Sequence, residues 1–179
     1  MPHLKEHEVV RLNRIACFAV AAAFVAALQP AQGCEYTAKK VAIGREAPNF
    51  GYLDLDGKAG RLTDLRGKVV MLRFWADWCP PCAAEFPIIE KAYQEMKGKG
   101  LHVIAVNVRQ PEARVRDYIK KFGLSHTIAL DRDGRISEQY DVKGLPMNFI
   151  IGRDGILREV IIGTISDVAM LKQFVNPYL

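Results

Sequence analysis

The stretch Arg73-Phe74-Trp75-Ala76-Asp77-Trp78-Cys79-Pro80-Pro81-Cys82-Ala83-Ala84-Glu85-Phe86-Pro87 decides how the rest of the chain is read. Lys68 to Trp75, rich in Val, Met, Leu and aromatic residues, reads as a fully buried central strand. From Pro80 onward Ala83, Phe86, Ile88, Ile89, Ala92, Tyr93 and Met96 recur at helical spacing, and Gly98 and Gly100 stop the pattern. The two cysteines therefore lie at the carboxyl end of a strand, where a helix begins. Pro87 falls inside that helix. It lacks one backbone N–H and its ring crowds the preceding turn, so a bend is expected there.

This placement suits thiol chemistry. A thiolate, not a thiol, attacks a disulfide, so a working cysteine needs help to ionise near ambient pH. At the first turn, free N–H groups and the positive end of the helix dipole face the sulfur of Cys79. Cys82, one turn further in, is shielded by the helix. Residues three apart share a helix face, so the second sulfur can reach a mixed disulfide on the first. Cys79 is expected to attack and Cys82 to resolve.

Other chemistries fit less well. A structural zinc site needs four ligands, and beyond the cysteine pair the folded body offers only His102 and His126, far apart in sequence. Those histidines read as strand-edge or core residues. Covalent haem attachment requires a histidine after the second cysteine, where Ala83 stands. No metal or cofactor is expected.

Half of the 179 residues are apolar and a quarter are charged, enough for one domain with a sizeable core. The net charge of +5 is dispersed, with no basic run, which argues against a nucleic-acid partner. Arg11 and Arg14 precede an unbroken apolar run of 14 residues, Ile15 to Leu28. That order reads as a secretory signal, and the run is shorter than the roughly 20 residues that cross a bilayer. Ala31-Gln32-Gly33 suits cleavage ahead of Cys34; a retained anchor and lipid attachment at Cys34 are the alternatives. Residues 1–33 are thus assigned to export, 34–45 to a polar tether and 46–179 to the folded domain. Of the four cysteines, Cys17 lies in the signal and Cys34 at its edge, so the domain holds only Cys79 and Cys82. Such a pair in an exported domain points to reactivity rather than a disulfide scaffold.

Around the central strand, Asn49–Leu55 and the turn Asp56-Gly57 predict a hairpin at the sheet's edge, followed by a turn at Arg66-Gly67. Leu101–Val108 reads as a second buried strand and Pro111–Phe122 as a helix closed by Gly123. Thr127–Leu130 follows as a short strand and Ile136–Tyr140 as one helical turn. Met147–Ile151 and Ile156–Ile162 flank the hairpin signal Arg153-Asp154-Gly155, and Ser166 can cap a last helix ending near Val175. Parallel units first and an antiparallel hairpin last describe a mixed α/β sheet flanked by helices.

The segment 73–87 resembles the active-site region of thioredoxin-fold proteins, above all the exported thiol-disulfide oxidoreductases of the TlpA/ResA/CcmG type. Val142-Lys143-Gly144-Leu145-Pro146-Met147-Asn148-Phe149-Ile150-Ile151 resembles that family's second signature. The likeness spans nearly all of 46–179, and the segment 107–140 resembles the family's extra βα-type insertion. It implies that Pro146 is cis and packs against the cysteine pair, that Trp78 is an exposed aromatic flank, and that Pro87 bends the helix. The backbone of Leu145 can then pair with an extended substrate strand. Glu85 matches a glutamate that assists proton transfer near the thiols. Arg73 departs from the buried aspartate of cytoplasmic thioredoxins and cannot accept a proton. Either it pairs with Glu85 or it points to solvent.

Direction is read from Pro80 and Pro81. Neither has an N–H, so fewer donors can hold the Cys79 thiolate, and no histidine between the cysteines helps. This favours a reductant or isomerising role over disulfide formation. The resemblance agrees, implying partners that are exported cysteine proteins, such as apocytochrome c or copper-site proteins, and a membrane electron donor. Three rivals are weighed: a disulfide-forming oxidant, a peroxiredoxin-type peroxidase, and a copper-binding module. The peroxidase would carry Thr or Ser where Ala76 stands, and the copper module would have CxxxC.

Overall fold

The computed structural model describes residues 41–179; the export signal expected at 1–33, with Cys17, and residues 34–40 of the tether, with Cys34, lie outside the described residues. The packed chain begins ahead of Glu46. Val41 packs against the core, Gly44 N–H donates to the carbonyl of Leu157 at 2.8 Å, and Leu157 N–H donates to that of Arg45 at 2.8 Å.

The first hairpin pairs β1 (Gly51–Leu53) with β2 (Ala59–Arg61). Asp54 closes the turn by accepting the N–H groups of Asp56 and Lys58 at 2.9 and 2.8 Å. Instead of extending the edge of the main sheet, this hairpin is a sheet of its own, tied to the main one by the bridge between Asp54 and Ala129. Its strands are three residues long and largely exposed, so they offer too little apolar surface to dock as full strands.

The main sheet has the order β5-β4-β3-β6-β7. Its central strand β3 (Val69–Trp75) is buried at every position, six of them apolar and the seventh Arg73. Helix α1 (Pro80–Met96) follows; Pro87 lies inside it without ending it. Strand β4 (Leu101–Val108) lies parallel to β3, and after helix α2 (Glu112–Phe122) strand β5 (Thr127–Asp131) lies parallel to β4. Gly123 ends α2 in the left-handed conformation (φ 62°) that glycine adopts without steric cost. A short helix α3 (Arg135–Gln139) leads to β6 (Met147–Ile151) and β7 (Leu157–Ile162), both antiparallel to their neighbours. The final helix α4 (Val168–Val175) is capped by Asp167, which accepts the N–H of Met170 at 2.8 Å. Ser166, the cap expected, instead donates its hydroxyl to Asp167.

Alternation along the strands divides the core. On one face Leu72, Phe74, Val106 and Phe149 pack with Phe50, Ile136 and Tyr140. On the other, Met71, Val103 and Ile150 meet Ile89 and Ala92 of α1 and Leu171 and Val175 of α4. A third cluster joins Trp75, Cys79, Cys82 and Phe86 to Val115, Tyr118 and Phe122 of α2. The insertion therefore packs directly on the cysteine turn. Among the described residues no helix is long and apolar enough to cross a membrane.

Candidate active site

Cys79 and Cys82 are joined in a disulfide at the start of α1. Cys79 is the N-cap, 3% exposed, and Cys82 is fully buried. Pro80 and Pro81 occupy the first two helical positions and are exposed. A helix start ordinarily presents several unpaired N–H groups, but these two residues supply none. The donor that reaches the sulfur of Cys79 is the N–H of Cys82, at 3.2 Å.

Trp78 stands 66% exposed beside the pair. Facing them, the Leu145–Pro146 peptide bond is cis, Pro146 is buried, and Leu145 is half-buried against the cluster that holds both cysteines. The N–H of Gly163 donates to the carbonyl of Pro146 at 3.3 Å, fixing the end of β7 beside it.

The chain matches the AhpC/TSA family over residues 43–160. It belongs to that family. The thiol-disulfide oxidoreductase ResA of Bacillus subtilis is 36% identical over 138 residues, 77% of this chain and 76% of that protein. A ResA of Bacillus cereus is 41% identical over 132 residues, 74% of this chain and 76% of that one. Among solved structures, a thiol:disulfide interchange protein DsbE of Chlorobium tepidum matches with a TM-score of 0.70 at 33% identity, covering 74% of this chain and 94% of that one. StoA of Bacillus subtilis matches with a TM-score of 0.63 at 26% identity, covering 71% and 96%. This AhpC/TSA-family chain is a thiol-disulfide oxidoreductase on a thioredoxin-like fold.

Beneath its disulfide the oxidoreductase buries an ion pair. Arg73 on β3 and Glu85 on α1 are both inaccessible to solvent, and the Nη1 of Arg73 donates to Oε2 of Glu85. The other arm of the guanidinium, Nη2, donates to the carbonyl of Cys82 at 2.8 Å, and the plane lies over the Phe86 ring, 4.9 Å from its centre. The Oε1 of Glu85 accepts the N–H of Ile165, in the loop before α4. Of the two placements open to Arg73, the structure takes the paired one. Burial pulls the guanidinium below its ordinary pKa, and the neighbouring carboxylate opposes that pull.

A second polar group was not foreseen from the sequence. In the loop carrying Trp78 and Cys79, Asp77 donates its N–H to Oε1 of Gln110 at 2.8 Å and accepts from the Gln110 amide in return. Asn107 also donates to Oε1 of Gln110, at 2.7 Å, and Arg114 of α2 donates to Asp77 at 2.6 Å. Burial works to raise the Asp77 carboxyl, but its donors, Gln110 first and then Arg114, outweigh it and hold it below the ordinary carboxylate range. Arg109, just before Gln110, takes a left-handed conformation (φ 55°) unusual for a side-chain-bearing residue. The available signal was topological: Asn107 and Gln110 follow a strand parallel to β3, and parallel sheets build sites at carboxyl ends.

The histidines sit away from the cysteines. His126 is buried with its Nδ1 2.9 Å from Glu90, and His102 is 3.2 Å from the hydroxyl of Thr127. Among the described residues no group of three or more His, Cys, Asp or Glu side chains is arranged to hold a metal ion.

Proposed function

We propose that this oxidoreductase acts outside the cytoplasm as a protein-disulfide reductase, with Cys79 as the attacking and Cys82 as the resolving thiol. The observation that carries the direction is the single N–H, that of Cys82, reaching the sulfur of Cys79 across a turn begun by two prolines. A strongly oxidising centre of this kind needs its reduced form stabilised, and stabilisation comes largely from donors to the thiolate. With few donors, the dithiol gives up its electrons readily.

The substrate is a cysteine-containing partner protein whose extended segment pairs with the backbone at Leu145 beside Pro146, with Trp78 as its apolar flank. Cys82 is fully buried, so its proton has no direct exit to water. Glu85, also buried and three residues on, is assigned to proton transfer there. Residues 1–33 are the export signal or anchor, and the tether that follows leads into the packed chain, which Val41 already joins. Outside the cytoplasm the pair would be oxidised continually, so a membrane donor must return it to the dithiol. Peroxide reduction is disfavoured because buried Ala76 stands where that chemistry would use a hydroxyl.

Equilibration against glutathione buffers tests the direction. The reduction potential is expected near or below about −200 mV, and a value near about −120 mV, that of a strong oxidant, would reverse the assignment. Replacing Cys82 with Ala in cells should trap partner proteins on Cys79 and identify them.

A further inference from the structure

Arg73 stands at an unusual place for a charge. On the α1 side of the sheet, the row through Arg73 runs from Ala105 on β4 through Arg73 to Asn148 on β6 and Ile161 on β7. Arg73 and Asn148 are cross-strand neighbours, both fully buried, in the middle of a mostly apolar sheet. Three of their polar atoms, the Nε of Arg73 and both amide atoms of Asn148, lack a hydrogen-bond partner. A buried ion pair is no better for stability than a well-packed apolar pair, and unsatisfied polar atoms cost more still. The row would therefore fold at least as well if it were apolar.

What the arrangement does provide is a fixed connection. One guanidinium holds the carbonyl of Cys82 with one arm and Glu85 with the other, and Glu85 holds the N–H of Ile165. A planar fork with two arms fixes direction as well as distance, which a single ammonium does not. Cys82 is held from its own backbone, while Cys79 owes its place to the N-cap and to the loop that Asp77 and Gln110 tie down. The two sulfurs thus have separate supports.

We propose that Arg73 is a positioning residue for the second half of the exchange: it holds the Cys82 turn in line with the Cys79 sulfur so that resolution, not attack, depends on it. This rests on the assignment of Cys79 and Cys82 given above. In the first step the Cys79 thiolate attacks one sulfur of the substrate disulfide and bonds to it, the substrate S–S bond breaks, and the other sulfur leaves with the electron pair and takes up the proton that Cys79 gave up on ionising. In the second, Cys82 sulfur attacks Cys79, the bond from Cys79 to substrate breaks, and the Cys79–Cys82 bond forms. The substrate's second sulfur leaves with the electron pair and takes up the proton that Cys82 gave up. The enzyme dithiol has lost two electrons and the substrate has become two thiols.

The test separates the steps by stopped-flow mixing with a disulfide peptide, followed by quenching to capture the mixed disulfide. Arg73→Lys keeps the charge and loses the fork. Misplacing a reacting group by about 1 Å costs on the order of 10² in rate, so the mixed disulfide should persist at least about tenfold longer while attack stays within about twofold. Arg73→Met alone would strand a buried carboxylate. The double variant Arg73→Met with Glu85→Gln leaves no unpaired charge, and it should resolve no faster than Glu85→Gln alone. Attack and resolution slowing by one common factor, wild-type resolution in Arg73→Lys, or faster resolution in the double variant than in Glu85→Gln would each overturn the proposal. Failure of Cys82→Ala to accumulate a mixed disulfide on Cys79 would instead overturn the cysteine roles themselves.

Discussion

At the scale of single residues, the two cysteines differ in what they face. Cys79 caps the helix with one donor on its sulfur, whereas Cys82 is wrapped by Trp75, Phe86 and the Arg73 clamp. In the reduced protein Cys79 should alkylate with a midpoint below the usual value of about 8.5 and Cys82 should stay protected; faster labelling of Cys82 would reverse the roles. Glu85→Gln should slow exchange several-fold while circular dichroism stays unchanged, and kinetics like the wild type would return Glu85 to a structural part. His102 offers a test unrelated to the redox pair. Burial first, then Lys68, lowers its pKa from 6.5 to about 4, so the folded protein holds it neutral where the unfolded chain protonates it. Its contribution to stability is complete above pH 6.5 and is lost as pH falls toward about 4. The midpoint of urea unfolding should drop across that window, and His102→Gln should flatten the drop.

Among elements, the insertion matters most for the site, because α2 and the end of β4 secure the cysteine loop. Gln110→Ala leaves the N–H of Asp77 and the amide of Asn107 without their acceptor and should cost about 1–3 kcal/mol, measured by denaturant unfolding. Much of this level could be read from the sequence. The largely apolar run of β3, the helical spacing after Pro80, and the glycines at 100 and 123 carry local signals of burial, period and handedness. The cis bond before Pro146 came from resemblance to a family, since local chemistry only permits it. The Arg73 pair stood as one of two open placements and the Asp77 group was out of reach, because each depends on which side chains meet across 12 and 33 residues of sequence. The independent first hairpin was missed for a related reason: alternation announces a strand, but docking depends on how much surface it can bury.

For the whole molecule, the proposed reductive direction makes it dependent on a supply of electrons from outside itself. If the membrane donor is removed, Cys79 and Cys82 should accumulate as the disulfide in cells, which alkylation with a mass tag followed by gel electrophoresis would display. A pair that stays reduced without any donor would argue against an exported reductant. The two tryptophans divide between water and core. Trp78 is exposed, while Trp75 is fully enclosed in the cluster that contains both cysteines, 4.8 Å from the Phe86 ring and 5.5 Å from Tyr118. An excited indole passes an electron to a nearby disulfide and goes dark, and two thiols do not accept it. The molecule therefore carries its own optical gauge: reduction should brighten the blue edge of the emission, and Trp75→Phe should abolish that change while Trp78→Phe keeps it.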